Sequence, residues 1–452
     1  AGTTTYPSSP GITPPEVPAS AGARSLVAAD GLLFFIADDG ETGEEVWVSD
    51  GTEAGTVAVS NFPDGHSGGD SASYASIPAL AGAALFPADS GIFFQTSDGD
   101  LWQSDGTAGG TVAVKEFPEA EPVPGSGSYA SMAMIHGSLI FAADDGVTGQ
   151  ELWTSDGTES GTVLLSNIGT GTRSSLVDNY YYYDYGIEPD AVTVNGITYF
   201  TADDGIHGPE LWKTDGTAAG TSLVGDISPG GFGSYPNNFH AVGNEIFFVA
   251  SDDTNGGELW KTDGTEAGTQ LVLDLSTGID YYGGPRSTRF QAFAATADHL
   301  YFIADTYADP TNPWVSTQGL YETDGTAAGT RLLTSIVGDS FGGYGVTMAI
   351  IGDAIYFPAG RYNDKEIWSY DLVTEFAIEV ADLNAGWGAS PSELIVLGSS
   401  IVFAADDGVA GRELWSYDTV AGTASRLADI KAGSSGSYPS QIVSVGESIF
   451  FT

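Results

Sequence analysis

The sequence predicts an all-β protein: an eight-bladed β-propeller of four-stranded antiparallel blades, preceded by an extended N-terminal arm. Three observations lead there. A phrase of the form Glu-Leu-Trp-x-x-Asp-Gly-Thr-x-x-Gly-Thr recurs along the chain, clearest at Glu151–Thr158, Glu210–Thr217 and Glu258–Thr265. Looser copies at Glu45-Val46-Trp47, Asp100-Leu101-Trp102, Gly319-Leu320-Tyr321, Glu366-Ile367-Trp368 and Glu413-Leu414-Trp415 bring the total to eight. A fixed-period repeat decides an architecture before any local reading does. Each repeat also divides into four short runs rich in β-branched and aromatic residues, bounded by Gly, Asp or Asn, which is the pattern of strands joined by tight turns. Finally, the unit length is that of a propeller blade, as in the 47 residues from Trp368 to Trp415, and no helical period survives anywhere.

Taken in order, residues 1–22 are rich in Pro, Thr and Ser without periodicity and read as an extended arm or linker. Residues 23–452 read as one propeller of eight repeats. The fourth repeat gives the clearest strands: Ala191–Val194, Ile197–Ala202, Glu210–Thr214 and Thr221–Asp226. Asn195-Gly196 and Asp215-Gly216 are its hairpin dipeptides, since Gly tolerates the positive φ such turns require. The second repeat has lost most of its first loop, and the sixth inserts Asp305–Gly319 and carries Tyr321 for Trp. The seventh and eighth replace Asp-Gly-Thr by Tyr370-Asp371-Leu372 and Tyr417-Asp418-Thr419. At about 440–452, Gln441–Ser444 and Ser448–Phe451 repeat the first two strands of a unit without the rest. This surplus pair reads as a partial ninth blade, as the remnant of a longer protein, or as strands offered to a neighbour.

With 13 Lys+Arg against 60 Asp+Glu, the net charge is −47. That excludes nucleic acid and anionic membranes as partners, because no basic patch exists to release counterions. It points instead to cations, calcium first, or to a carboxylate-rich surface that simply stays hydrated. There is no cysteine, hence no disulfide or thiolate site. A start at Ala1, no apolar stretch long enough to span a bilayer and no Asn-x-Ser/Thr sequon lead us to expect a processed, secreted bacterial protein, extracellular or on the cell surface.

In these motifs the chain resembles the bacterial ELWxxDGT repeat proteins, and the resemblance covers essentially everything after the arm. It implies a β-propeller-like array and secretion. It implies no particular activity.

Three motifs are candidates for chemistry. The Asp-Gly-Thr-x-x-Gly-Thr loop recurs in most repeats and reads as the blade's own mortar. The second motif is Ala-Asp-Asp-Gly-x-x-Gly-x-Glu, at Asp38, Asp39 and Glu44; Asp144, Asp145 and Glu151; Asp203, Asp204 and Glu210; and Asp406, Asp407 and Glu413. Its clustered carboxylates suit calcium, and equally suit a hairpin turn with solvated acids. The third is an aromatic in the connection between repeats: Tyr74, Tyr129, Tyr181, Tyr182, Tyr183, Tyr235, Tyr282, Tyr344, Trp387 and Tyr438. Blade connections and acidic loops emerge on one propeller face, so these rings can bind sugars or a protein there, or cover the gap to the next blade.

Catalysis finds little support. The five histidines show no metal-ligand spacing, there is no Gly-x-Ser-x-Gly elbow, and no single carboxylate pair stands out. The expectation is therefore a protein that is not an enzyme: an extracellular structural or adhesive element, such as a surface or filament subunit, assembling through terminal strands with calcium. Its expected partners are other copies of itself, or extracellular protein or polysaccharide. The alternatives are a calcium-assisted lectin-like propeller and a polysaccharide-active enzyme.

Overall fold

The computed structural model describes residues 22–62, 80, 83–88, 90–118, 133–169, 171, 174–176, 191–280, 283–307, 316–336, 347–361, 364–385 and 387–452. The predicted arm, apart from Gly22, lies outside them. The described residues form eight four-stranded antiparallel sheets and one two-stranded hairpin, each sheet a simple meander in chain order. Their only helical turn is the 3-10 segment Ala218–Gly220. The all-β, propeller-like prediction holds at this level.

The predicted strands fall where the turn residues place them. Sheet four consists of Ala191–Val194, Ile197–Asp203, Pro209–Thr214 and Ser222–Gly225, within one residue of expectation at each end. Sheet two keeps all four strands despite its short first loop, with Ile92 opposite Ser104 and Gln95 opposite Leu101. In sheet six Leu300–Thr306 pairs with Thr317–Thr323 in unbroken register, so the insertion lengthens a hairpin and leaves the ladder intact.

Each sheet shares a hydrophobic cluster with its successor, and the side chains that build it are set by a bulge. In sheet three Leu152 faces Ser166 and Trp153 faces Leu164, leaving Leu165 as the extra residue on the outer strand. The same shift brings out Val114, Val224 and Val272. An extra residue on one strand re-aims its side chain. Each of these is at most 7% exposed and packs toward the following sheet. Three residues later comes a second apolar plug, and the two meet the tryptophan of the next sheet. Val59 and Phe62 join Trp102, Val114 and Phe117 join Trp153, and Leu165 and Ile168 join Trp212. Phe62 and Phe117 meet their indoles edge-on at 5.0 Å. The indole N–H of Trp47 reaches the Ala37 carbonyl at 3.1 Å. Those of Trp102, Trp153, Trp260 and Trp415 find no acceptor among the described residues, because apolar plugs surround them.

The surplus pair is real. Val443–Val445 pairs with Ser448–Phe450. One side of this hairpin packs on sheet eight through Ile442, Ile449 and Phe451, against Val402, Ala404 and Leu414. The other packs on sheet one through Val443, Val445 and Phe450, against Leu33, Phe35 and Trp47.

Candidate functional site

The acidic loops are turns first. In sheet four the Asp203 carboxylate accepts the Gly205 N–H at 2.7 Å, and Asp204 accepts those of Ile206 and His207 at 2.8 and 2.9 Å. Asp38 and Asp39, Asp144 and Asp145, and Asp406 and Asp407 repeat this geometry at 2.7–2.9 Å. Short side chains that satisfy the backbone two or three residues on are what a tight turn recruits. These bonds hold Asp39, Asp145 and Asp204 below the ordinary carboxylate pKa, against some desolvation that, at Asp145 and Asp204, is the largest single influence. His207 is drawn up by its hydrogen bond to Asp204, Nδ1 to Oδ2 at 2.8 Å.

The glutamate of the motif does something else. Glu151, Glu210 and Glu413 are fully buried and point away from the loop tip. Each grips the segment leading to the next sheet. Glu151 accepts the N–H groups of Ile168 and Gly169 at 2.8 and 2.9 Å and the Ser175 hydroxyl at 2.6 Å. Glu210 does the same with Ile227, Ser228 and Ser234, and Glu413 with Ile430, Lys431 and Ser437. Two further members, Glu258 and Glu366, follow the pattern. Burial raises the pKa of Glu151, Glu210 and Glu366, and takes Glu258 to about 8. In each case one of the gripped N–H groups is that of the apolar plug, so one carboxylate fixes both the connection and the contact to the next sheet.

Glu44 stands apart. It lies one residue off the series: its carboxylate binds the Arg24 guanidinium at 2.9 Å, while Glu45 is the buried member, accepting from the Phe62 N–H at 2.8 Å and from Ser60. Glu151, Glu210 and Glu413 likewise spend their carboxylates on the connecting segments. Among the described residues no three His, Asp or Glu side chains gather in a way that would hold a metal ion.

Of the predicted aromatics, Tyr74, Tyr129, Tyr181, Tyr182, Tyr183, Tyr282 and Tyr344 lie outside the described residues. Tyr235, Trp387 and Tyr438 are placed. Ser234 and Tyr235 donate their N–H groups to the Pro209 carbonyl at 2.9 and 3.0 Å, and Ser437 and Tyr438 do so to Arg412 at 2.9 and 3.1 Å. The connections therefore lie against the acidic hairpins. A Cβ on Gly208 would come within 2.6 Å of the Gly233 nitrogen, so only glycine permits that approach. Tyr235 is half-buried, whereas Trp387 is 75% and Tyr438 67% exposed.

Sequence reasoning missed the apolar companions on this face. Phe232 is exposed on the connection after sheet four, and Val147, Ile206 and Val409 are exposed at the hairpin tips. The signal was present, since the x after Asp-Asp-Gly is Val, Ile and Val in three repeats. The Asp-Gly-Thr loops sit at the far end of the third strand and act as mortar, as expected. Asp263 accepts from the Thr265 N–H and hydroxyl at 2.9 and 2.6 Å, and that hydroxyl accepts from Gly268 at 3.0 Å.

No protein-family model and no curated protein matches this chain. Solved structures do. Puromycin hydrolase is 15% identical over 91% of this chain and 54% of its own, with a TM-score of 0.42. A prolyl endopeptidase structure is 9% identical over 88% and 54%, with a TM-score of 0.39. A putative TolB from Agrobacterium tumefaciens is 14% identical over 56% and 86%, with a TM-score of 0.30. The chain thus spans about half the length of the two hydrolases. This corrects the expectation of a protein that is not an enzyme: hydrolases share this kind of fold, so the fold gives no ground for excluding catalysis. At such identities the likeness is one of fold and assigns no reaction to this chain.

Proposed function

We propose that the chain is an extracellular structural or adhesive protein, a closed eight-bladed propeller with a half-blade between its last and first blades. Ring closure is supported by the unbroken succession of shared clusters from sheet one to sheet eight and by the hairpin that packs on both ends. The observation that carries the adhesive reading is the loop face. There Phe232, Trp387 and Tyr438 stand exposed on the connections, and Ile206 and Val409 at the hairpin tips, in a chain of net charge −47. Large apolar side chains held out on glycine-built loops over a charged scaffold mark contact surfaces. The partners such a surface fits are extracellular protein, polysaccharide or further copies of the chain.

The test is adhesion of protein-coated beads to bacterial extracellular matrix, comparing the native chain with a Phe232→Ser, Trp387→Ser, Tyr438→Ser triple variant. All three positions are exposed, so folding should be unaffected and adhesion lost. Equal adhesion by a folded variant would sink the proposal. A second reading, carbohydrate binding, is favoured by the same rings, whose faces suit sugar stacking. Retention on polysaccharide columns that the triple variant loses would support it.

A further inference from the structure

Sheets seven and eight close their outer hairpins differently from the first six, which carry the Asp-Gly-Thr loop there. The Asp371 carboxylate accepts the N–H groups of Val373 and Thr374 at 2.9 and 2.7 Å, and the Asp371 carbonyl takes that of Glu375 at 2.9 Å. Asp418 repeats this with Val420, Ala421 and Gly422 at 2.9, 3.0 and 2.9 Å. The ladders then run in the same register. Asp371, Tyr370 and Ser369 face Phe376, Ala377 and Ile378, as Asp418, Tyr417 and Ser416 face Thr423, Ala424 and Ser425.

The two hairpins thus make the same demands on folding and differ in what they show to solvent. Sheet eight presents Thr423 and Ser425, both exposed. At the same two places sheet seven presents Phe376, 71% exposed, and Ile378, 56% exposed. Neither belongs to the clusters through which sheet seven packs on its neighbours, so the fold does not ask for them. Their strand, Phe376–Ala381, has six residues, against two to five in the outer strands of the other sheets. It contains no Lys, Arg or Pro, the residues that usually blunt a sheet edge. Among the described residues nothing pairs with its outer edge. The tip beside it is tied down. Arg331 of sheet six binds Glu375 at 2.8 Å and Glu322 at 2.5 Å. Glu375 holds a φ of 57°, at the place where sheet eight has Gly422. A glutamate there gives up the ease of glycine for that ion pair.

We propose that the outer strand of sheet seven is a docking edge for an extended segment of another protein, one that alternates aliphatic side chains with Lys or Arg. The segment adds a strand to the edge Phe376–Glu379, before the bulge at Val380 interrupts the ladder. Main-chain hydrogen bonds supply affinity, and its aliphatic side chains cover Phe376 and Ile378. Its basic side chains meet the acids that border the strand, Asp371, Glu375 and Glu379, in a chain of net charge −47. That charge also argues against a second copy, which would bring two such chains together with Glu379 of both on one side of the ribbon. Sheet seven lies between two complete four-stranded sheets, so this edge is not one that ring closure fills. The inference goes beyond the adhesive reading and concerns the end of the third strand away from the loop face.

The probe is a fluorescent peptide, Thr-Lys-Val-Lys-Val-Lys-Val-Thr, titrated with the full-length chain at physiological ionic strength and read by anisotropy. Saturable binding is expected. A Phe376→Thr, Ile378→Ser variant copies the residues of sheet eight, should keep the native urea midpoint, and should bind about tenfold more weakly, as two lost cross-strand apolar pairs imply. The Phe232→Ser, Trp387→Ser, Tyr438→Ser variant should bind as the native chain does. The same peptide N-methylated throughout keeps its charges and loses its main-chain donors, and should not bind. This arm needs no variant of the protein. Absence of saturable binding, equal affinity for the Phe376→Thr, Ile378→Ser chain, or equal affinity of the N-methylated peptide would each overturn the proposal. So would a free chain that sediments as a dimer and becomes monomeric in that variant, because the occupant would then be a second copy.

Discussion

Glu258 offers the sharpest test of the buried carboxylate series. Its side chain is fully buried and receives the Leu275 N–H at 3.2 Å, the Thr288 N–H at 3.1 Å and the Thr288 hydroxyl at 2.8 Å. Desolvation, reinforced by the nearby Asp274 charge, outweighs those donors and lifts its pKa from 4.5 to about 8. The group is therefore mostly protonated at neutral pH in the folded chain and ionised in the unfolded one. A folded-state pKa above the unfolded value means that the stabilisation is complete below the unfolded pKa and is lost as pH rises through the folded one. At about 1.4 kcal/mol per unit, the window between 4.5 and 8 is worth about 5 kcal/mol.

Glu258→Gln removes the titration and keeps the shape. The amide oxygen still serves Thr288, but its NH2 faces the Leu275 N–H, a mismatch of about 1–2 kcal/mol. Urea unfolding of both proteins at fixed ionic strength should give a variant that is less stable at pH 5 and more stable at pH 8.5, with curves crossing at about pH 6. The native chain's other acids add their own slopes, so the difference between the two proteins is the quantity to read. Parallel curves, with the variant weaker by the same amount at every pH, would refute the reasoning. They would show that Glu258 is gripped as an anion.

Other expectations follow from the same geometry. Thr265→Val removes the hydroxyl that links Asp263 to Gly268 and should cost about 1 kcal/mol, read as a lowered urea midpoint, with about 1 kcal/mol more when Asp263→Ala is added, because the Thr265 N–H then loses its acceptor. Gly268→Ala should cost more than Thr265→Val, because its Cβ would strike the Asp263 carboxylate. Ser234→Ala takes one donor, at 2.5 Å, from buried Glu210, and should both destabilise by about 1–2 kcal/mol and steepen the fall of stability with rising pH, since Glu210 already has a raised pKa. Calcium should leave the thermal midpoint where magnesium at equal ionic strength leaves it; a stoichiometric, calcium-specific rise would place a calcium site in the acidic loops.

What was legible in the sequence was what is local. The turn dipeptides and the strand runs of the fourth repeat needed no partner to be recognised, and they fell within a residue of their places. The role of each acid was not local. Glu44 and Glu45 are neighbours of the same type, and only the pairing of Ala37 with Glu45 decides which one faces the connection. Likewise Asp203 and Glu210 are close in sequence, yet the first serves its own turn and the second reaches residues 17, 18 and 24 positions on. The bulge that aims Leu165 outward is invisible until Leu152 and Trp153 are seen to pair two apart on the outer strand. Yet once the carboxylate-to-plug spacing is known, it can be counted in every repeat, Gly319 to Ile336 included, where no carboxylate remains. That position keeps its apolar plug, whose N–H the Gln318 carbonyl takes at 2.9 Å in place of a carboxylate, so packing against the next sheet is the constant and the acceptor is replaceable. By the same logic the informative residues are those that keep the pattern and lack its counterpart. Leu427 and Ile430 retain the side chains of an interface while standing exposed, at the one sheet of the eight whose successor in the described residues is a two-stranded hairpin.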